Sequence, residues 1–569
     1  MTRLLAGLAA LAIGCASAKP TGSESPQAAK AAAAPAAAPS PPASPPDDSL
    51  VLDGLGPYRR AVTNASPEAQ QWFDQGLNVV FAFNHDEAIR AFAKAASLSP
   101  GCAMAWWGIA YANGPHINNP VVEPDRAEAA WSALQRAVAA SPQASPVEQA
   151  LIEALTRRYA IPQPADRAPL DGAYADAMRG LLSRFADDPD VLALTAEAMM
   201  DVHPWDYWKA DGKPQPWTPD IRGMIEAGLE MAPRHPMLNH LYIHILEAGP
   251  DVAKATAAAN LLRDLQPGLG HMVHMPSHID VRTGRWEDAV AANQRAIAMD
   301  AAYRQKRPRQ GFYSIYMAHN QHMLAYAAMM SGQSALALKA ARDLVAGIPP
   351  EFRAGQAAAV DLYYAMPLEV LMRFGRWDEI LATPDFEADL PGSRALRHVA
   401  RGVAFAARGE IGKAKEEQRL FGVTRGQLSK DAIYGNSPVT SVLAVAERLM
   451  AGELLFREGQ ADQGLAELRK AAAAEDLLRY NEPPDWIQPV RHALGAALTT
   501  SRRHAEAEKV FREDLRRTPS NGWALYGLAR VLELRNQKAE SKRVRAEFEQ
   551  VWQKADVEIK SACFCQQGV

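Results

Sequence analysis

Charge imbalance, cysteine and long apolar runs are all scarce in this chain of 569 residues. The 61 basic and 65 acidic residues leave a net charge of -4, which excludes a broadly basic nucleic-acid binder. Four cysteines in the whole length cannot staple a disulfide scaffold. After the first 18 residues no stretch of about 18 apolar residues runs uninterrupted, so no later segment is expected to span a bilayer. No nucleophile elbow, phosphate loop, HExxH zinc-protease pattern or dinucleotide fingerprint is present. Apolar material is plentiful: 48% hydrophobic against 22% charged residues is ordinary globular usage and excludes wholesale disorder.

The N-terminus reads as address and tether. Residues 1–18, MTRLLAGLAALAIGCASA, join a positive Arg3 to an apolar stretch too short to stay as a membrane helix, the pattern of an export signal. Ala16-Ser17-Ala18 fits a cleavage site. Alternatively, Leu11 to Cys15 fits a bacterial lipoprotein signal with Cys15 lipidated. Residues 19–50 are rich in Ala, Pro and Ser, as in a solvated, extended tether. The expectation is a periplasmic protein, anchored to a membrane through Cys15.

At roughly 150 residues per domain the remainder would make three or four domains, unless it is a repeat array. Residues 69–100, AQQWFDQGLNVVFAFNHDEAIRAFAKAASLSP, fit a 34-residue helix–turn–helix frame. Trp72 takes position 4, Gly76 position 8, Ala88 position 20, Phe92 position 24, Ala95 position 27 and Pro100 position 32. Small residues at 76 and 88 let the two helices cross closely. Trp72 and Phe92 fill the space between them, and Pro100 ends the second helix. Position 5 recurs at Phe73, Trp107, His240, His274, His322, Ala365, Val399, Leu449, His492 and Tyr526. Glycine recurs before the second helix at 284, 332, 375, 409 and 459. At least one degenerate pair is expected between residues 150 and 235, around Asp188 to Asp201.

This pattern resembles the tetratricopeptide-repeat superfamily over residues 66–550. The blocks FNHDEAIRAFAKAASLSPGCAMAWWGIAYANGP and HMPSHI are also similar to those of a group of bacterial exported repeat proteins. The resemblance implies an export compartment and a binding role, but supplies no catalytic residues. The expected fold is an all-α, right-handed solenoid of about eleven repeats over residues 51–555, with a C-terminal tail at 556–569. Each helix should contact only its neighbours, and no β-sheet should form. First helices should line a concave groove for a peptide, protein or small molecule, with no nucleic acid as partner.

Histidine placement is the distinctive signal. Nine of the fourteen histidines lie between His203 and His322. In this superfamily positions 2, 5 and 9 of the first helix face the groove. In three successive repeats those slots hold Met237, His240 and His244; His271, His274 and His278; and His319, His322 and Tyr326. At the chain's overall histidine frequency, nine slots would hold about 0.2 histidines. Neutral imidazole is the commonest protein ligand for copper, zinc and iron, and pairs at i and i+4 can hold one ion from one helix face. The seven histidines are therefore candidate metal ligands, with Glu247, Tyr326 and Glu369 as possible additions. A histidine-lined groove for an organic ligand is the alternative. Pro276 must kink its helix or start it, which bears on how His271 and His274 are presented.

Function divides into two classes. One is a repeat scaffold that binds a peptide or protein without metal. The other is a metal-dependent oxidoreductase or hydrolase built in the groove. Asp201 and the Trp-rich insertion at 203–219 form a candidate lid, with ordinary packing as the alternative. Trp107, Tyr111, His116 and Asn118 could form a second patch. His85, His398, His492 and His504 read as ordinary packing. Cys563 and Cys565 could form a disulfide, bind a soft metal or do neither.

Overall fold

The computed structural model describes residues 49–565. The export signal, Cys15, nearly all of the tether and the last four residues of the tail lie outside them. The described residues fold as consecutive helices paired into antiparallel hairpins. Their only β-ladder is a two-residue hairpin joining Ile433–Tyr434 to Ser437–Pro438. No described helix is long and apolar enough to cross a membrane.

The first hairpin shows how the frame becomes structure. Helix Pro67–Phe81 begins after Ser66, whose hydroxyl accepts from the Ala69 amide, with proline in its first turn. Its partner His85–Leu98 is capped by the Asn84 side chain. A Cβ on Gly76 would stand 2.7 Å from the Phe92 ring, so only glycine admits that ring between the helices. Two hairpins fill residues 146–231, where the frame anticipates at least one. They pair Pro146–Leu155 with Ala168–Phe185, and Pro189–Val202 with Thr218–Met231. The repeat carrying HMPSHI has a broken first helix, Gly270–His274 followed by Pro276–Thr283. Pro276 lacks the amide to continue the ladder. Met275 stays right-handed helical between the segments, so His274 and His278 remain one turn apart on nearly the same face.

The array does not obey the expectation that each helix meets only its neighbours. Trp286 Nε1 donates to the Pro519 carbonyl at 3.1 Å, and Trp523 Nε1 to that of Met329 at 2.8 Å. Gly284, with φ of +77°, lies so close to Pro519 that a Cβ would meet its carbonyl oxygen at 2.8 Å. At the other end, Gln266 Nε2 donates to Asn78 Oδ1 at 2.7 Å, and Arg307 pairs with Glu87 at 2.9 Å. Large aromatics and buried ion pairs thus join the first and last hairpins to the middle ones. The coil winds tightly enough to bury its inner face, and the expected open groove becomes a filled interior.

Candidate metal centre

That interior holds the histidines. His240, His244, His271 and His274 are at most 2% exposed, His278 is 4% exposed and His319 is half-buried. They form two groups. His240, His244 and His271 bring one ring nitrogen each within 4.8 Å of one another, and His274, His278 and His319 do the same. In the first group His240 Nε2 lies 3.1 Å from His244 Nε2 and 3.2 Å from His271 Nε2. In the second, His278 Nε2 lies 2.8 Å from His274 Nε2 and 3.5 Å from His319 Nε2. A tetrahedral ion with bonds of about 2.0–2.1 Å places its nitrogens about 3.3 Å apart. The rings are arranged as though around such ions.

The opposite edges of the rings fix where the protons are. His240 Nδ1 meets the Phe81 carbonyl at 2.8 Å. His244 Nδ1 meets Glu247 Oε1 at 2.7 Å, and His278 Nδ1 stands 2.6 Å from Glu247 Oε2 in a close, angled contact. His274 Nδ1 meets Asn293 Oδ1 at 2.7 Å. The Asn293 amide nitrogen donates to Ala289 at 2.8 Å, which fixes its oxygen toward the histidine. Carbonyls and carboxylates only accept, so His240, His244 and His274 carry their protons on Nδ1, whereas the contact of His278 Nδ1 with Glu247 is not aligned as a hydrogen bond and does not fix that ring's proton. A neutral ring then presents a bare lone pair at Nε2. His240 faces His244 lone pair to lone pair, and His274 turns its lone pair toward His278 Nε2. Only a cation between them, or an added proton, relieves that opposition.

Electrostatics weigh against added protons. Burial holds His240, His271, His274 and His319 well below the ordinary imidazole range, and the neighbouring rings push the same way. Burial also lowers His244, against the pull of Glu247. His278 alone is raised: burial would lower it, but Glu247 prevails. Glu247 is fully buried; its burial opposes ionisation, yet His278 and His244 draw its pKa down to about 2. One carboxylate can balance one imidazolium, and with His278 taking that place the opposition of His240 and His244 is left unrelieved.

Aromatic rings close the centre. Phe83 lies 4.5 Å from His240 and stacks over His244, while Trp205 sets its edge on His244 at 5.2 Å. Both adopt left-handed backbone, φ 58° and 59°, costing of order 1–3 kcal/mol each. Strain of this kind is tolerated where surroundings impose it. Tyr316 packs on His271 at 4.5 Å. The Tyr480 hydroxyl lies between Glu247, at 3.3 Å, and Glu482, at 3.0 Å. None of these was singled out from the sequence except Trp205, in the candidate lid.

Three candidates stand apart from both groups. His322 is buried with its ring edge-on to Tyr363 at 5.4 Å. Tyr326 packs against Trp286. Glu369 is buried beside Gln488, which donates to its carbonyl, and burial pushes its carboxyl up to about 8. Glu247 belongs behind the rings, as an acceptor for Nδ1. The patch at Trp107, Tyr111, His116 and Asn118 is also dispersed. Trp107 stacks on Tyr111, which donates to Glu197. His116 stacks on Phe83, and Asn118 donates to Tyr316. Each histidine outside the centre that reads as packing, except His504, has a defined bond: His85 to the Ala112 carbonyl, His398 to Glu417 and His492 to Asp514. Cys563 and Cys565 are joined in a disulfide.

No family model matches the chain, and no curated protein matches it. Solved structures of helical-repeat proteins do. The APC/C hetero-tetramer Cut9–Hcn1 is 13% identical over 87% of this chain and 75% of that chain, at a TM-score of 0.30. Human IFIT1, a dimer with PPP-AAAA, is 12% identical over 85% and 89%, at 0.31. The P58(IPK) TPR domain is 10% identical over 82% and 98%, at 0.22. The described hairpins themselves make the fold an α-solenoid of paired antiparallel helices.

Proposed function

We propose that this protein binds transition-metal ions at its two tri-histidine groups. The observation that carries the reading is the opposition of bare Nε2 lone pairs, with the ring protons held on the far side by Phe81, Glu247 and Asn293. Hydrogen-bonded Nδ1 atoms behind inward-facing Nε2 atoms are the usual outer arrangement of histidine metal sites. The all-nitrogen donor set suits copper, zinc or iron. Three protein ligands leave a four-coordinate ion one open position, as catalytic sites do and closed structural sites do not. Copper or iron there would supply oxygen or redox chemistry, and zinc would activate water. With a substrate at the open position, either would fit a metal-dependent oxidoreductase or hydrolase, a class the donor set alone does not narrow.

A repeat scaffold of this type also supports a protein-binding role. With the inner face filled, a peptide or protein partner would dock on the outer surface. We propose further that the chain is exported and tethered through Cys15; lipid labelling that disappears in Cys15→Ala supports this, and equal labelling of both proteins opposes it.

The test of the metal reading is metal content after purification without a polyhistidine tag. Wild type should carry stoichiometric copper, zinc or iron, or take it up after chelation. His240→Ala and His274→Ala should each lose occupancy, and His504→Ala should not. Folded wild-type protein that takes up none of the three metals would end the reading.

A further inference from the structure

The two histidine groups share one outer residue. Glu247 ends the helix Pro236–Glu247, and its two oxygens are divided. One receives His244 of the first group at 2.7 Å, and the other meets His278 of the second at 2.6 Å. The groups also approach directly: the His244 and His278 rings lie 5.9 Å apart, as do those of His271 and His274. The other outer acceptors serve one group each, Phe81 the first and Asn293 the second.

We infer, resting on the metal reading above, that the two groups form one dinuclear centre and that Glu247 is the positioning residue coupling them. Two physical effects act through it. An ion on His244 Nε2 makes the Nδ1 proton a stronger donor and fixes the carboxylate. The fixed carboxylate then holds His278 in its ligating orientation, so the second ion finds one ring already ordered. The negative charge between the groups also lessens the repulsion between two cations. A residue of this kind perturbs both sites when it is changed, whereas an ordinary outer-shell residue perturbs one.

The experiment titrates metal-free full-length protein with Co²⁺ and follows the visible absorption of each bound ion. Wild type, Glu247→Gln, Glu247→Asp and Asn293→Ala are compared, with metal-free melting curves to verify folding. Glutamine keeps the shape but can accept from only one ring. Aspartate keeps the charge but is too short to reach both. Wild type should bind two equivalents. Both Glu247 variants should weaken both equivalents tenfold or more, while Asn293→Ala should weaken only one. If a folded Glu247 variant weakens a single equivalent and leaves the other at wild-type affinity, the coupling is refuted while the metal reading survives. If wild type binds no Co²⁺, and no copper, zinc or iron, the metal reading itself fails.

Discussion

His322 offers a clean measurement of what this interior does to an imidazole. It is 3% exposed, and burial alone lowers its pKa to about 3. In the unfolded chain the value returns to about 6.5. The folded pKa is the lower one, so below pH 6.5 the unfolded chain binds a proton that the folded chain refuses. Stability from this residue is undiminished above pH 6.5 and declines as pH falls toward 3. At pH 5 the gap is about 1.5 units, which at 1.36 kcal/mol per unit is about 2 kcal/mol. The perturbation is His322→Gln. Its packing cost is the same at every pH and cancels when two pH values are compared. Relative to wild type, the variant should be about 2 kcal/mol more stable at pH 5.0 than at pH 7.5. The assay is urea unfolding of both proteins after chelation, at the two pH values. A difference between the proteins that does not change with pH would refute the reasoning, because a ring that titrates normally imposes no such penalty.

Two further outcomes follow from packing and from the second histidine group. Asn293→Ala removes the acceptor behind His274 and should cost roughly 10–100-fold in affinity at one metal site, read by competition with a chelator of known affinity. Gly76→Ala places a Cβ 2.7 Å from the Phe92 ring and should cost about 1–3 kcal/mol of stability as overpacking; an unchanged melting temperature would show that the two helices can separate freely.

The repeat frame was legible because each structural job needs a particular residue size. Gly76 and Phe92 announce a close helix crossing whatever the rest of the sequence does. The histidine slots were legible for the same reason: position in the repeat specifies a helix face. A face is not a distance, however. His319 and His322 occupy adjacent slots of one helix, yet His319 lies 3.5 Å from His278 while His322 turns to Tyr363. How far along the helix the neighbouring rings converge depends on the coiling of the array, which no single repeat encodes. Two of the outer acceptors escaped notice because nothing periodic marks them: Asn293 lies on a second helix, and Phe81 acts through its carbonyl. Glu247 was legible as a candidate ligand, but not as an acceptor behind the rings. The filled interior was also hidden, since nothing in a repeat frame marks the bonds of the Trp286 and Trp523 indole nitrogens to Pro519 and Met329.

The closure of the coil and the convergence of the histidines are one problem. The ligands come from three consecutive hairpins, as do Glu247 and Asn293 behind them, but further supports come from elsewhere. Phe81 and Phe83 belong to the first hairpin and Trp205 to the insertion. Tyr480 and Glu482 stand more than 230 residues beyond His244 and still meet Glu247 and its partners. An ion bound there would bind only the closed arrangement. It would stabilise that form by mass action, by about 2.7 kcal/mol with free metal at 100 times its dissociation constant. An open, neighbour-only solenoid would separate His240 from Phe81 and lose the proton placement that turns Nε2 inward. The tight winding that fills the groove is thus what brings six of the seven histidines on a repeat face into convergence. The seventh, His322, is enclosed as well but turns to Tyr363 and away from the other six.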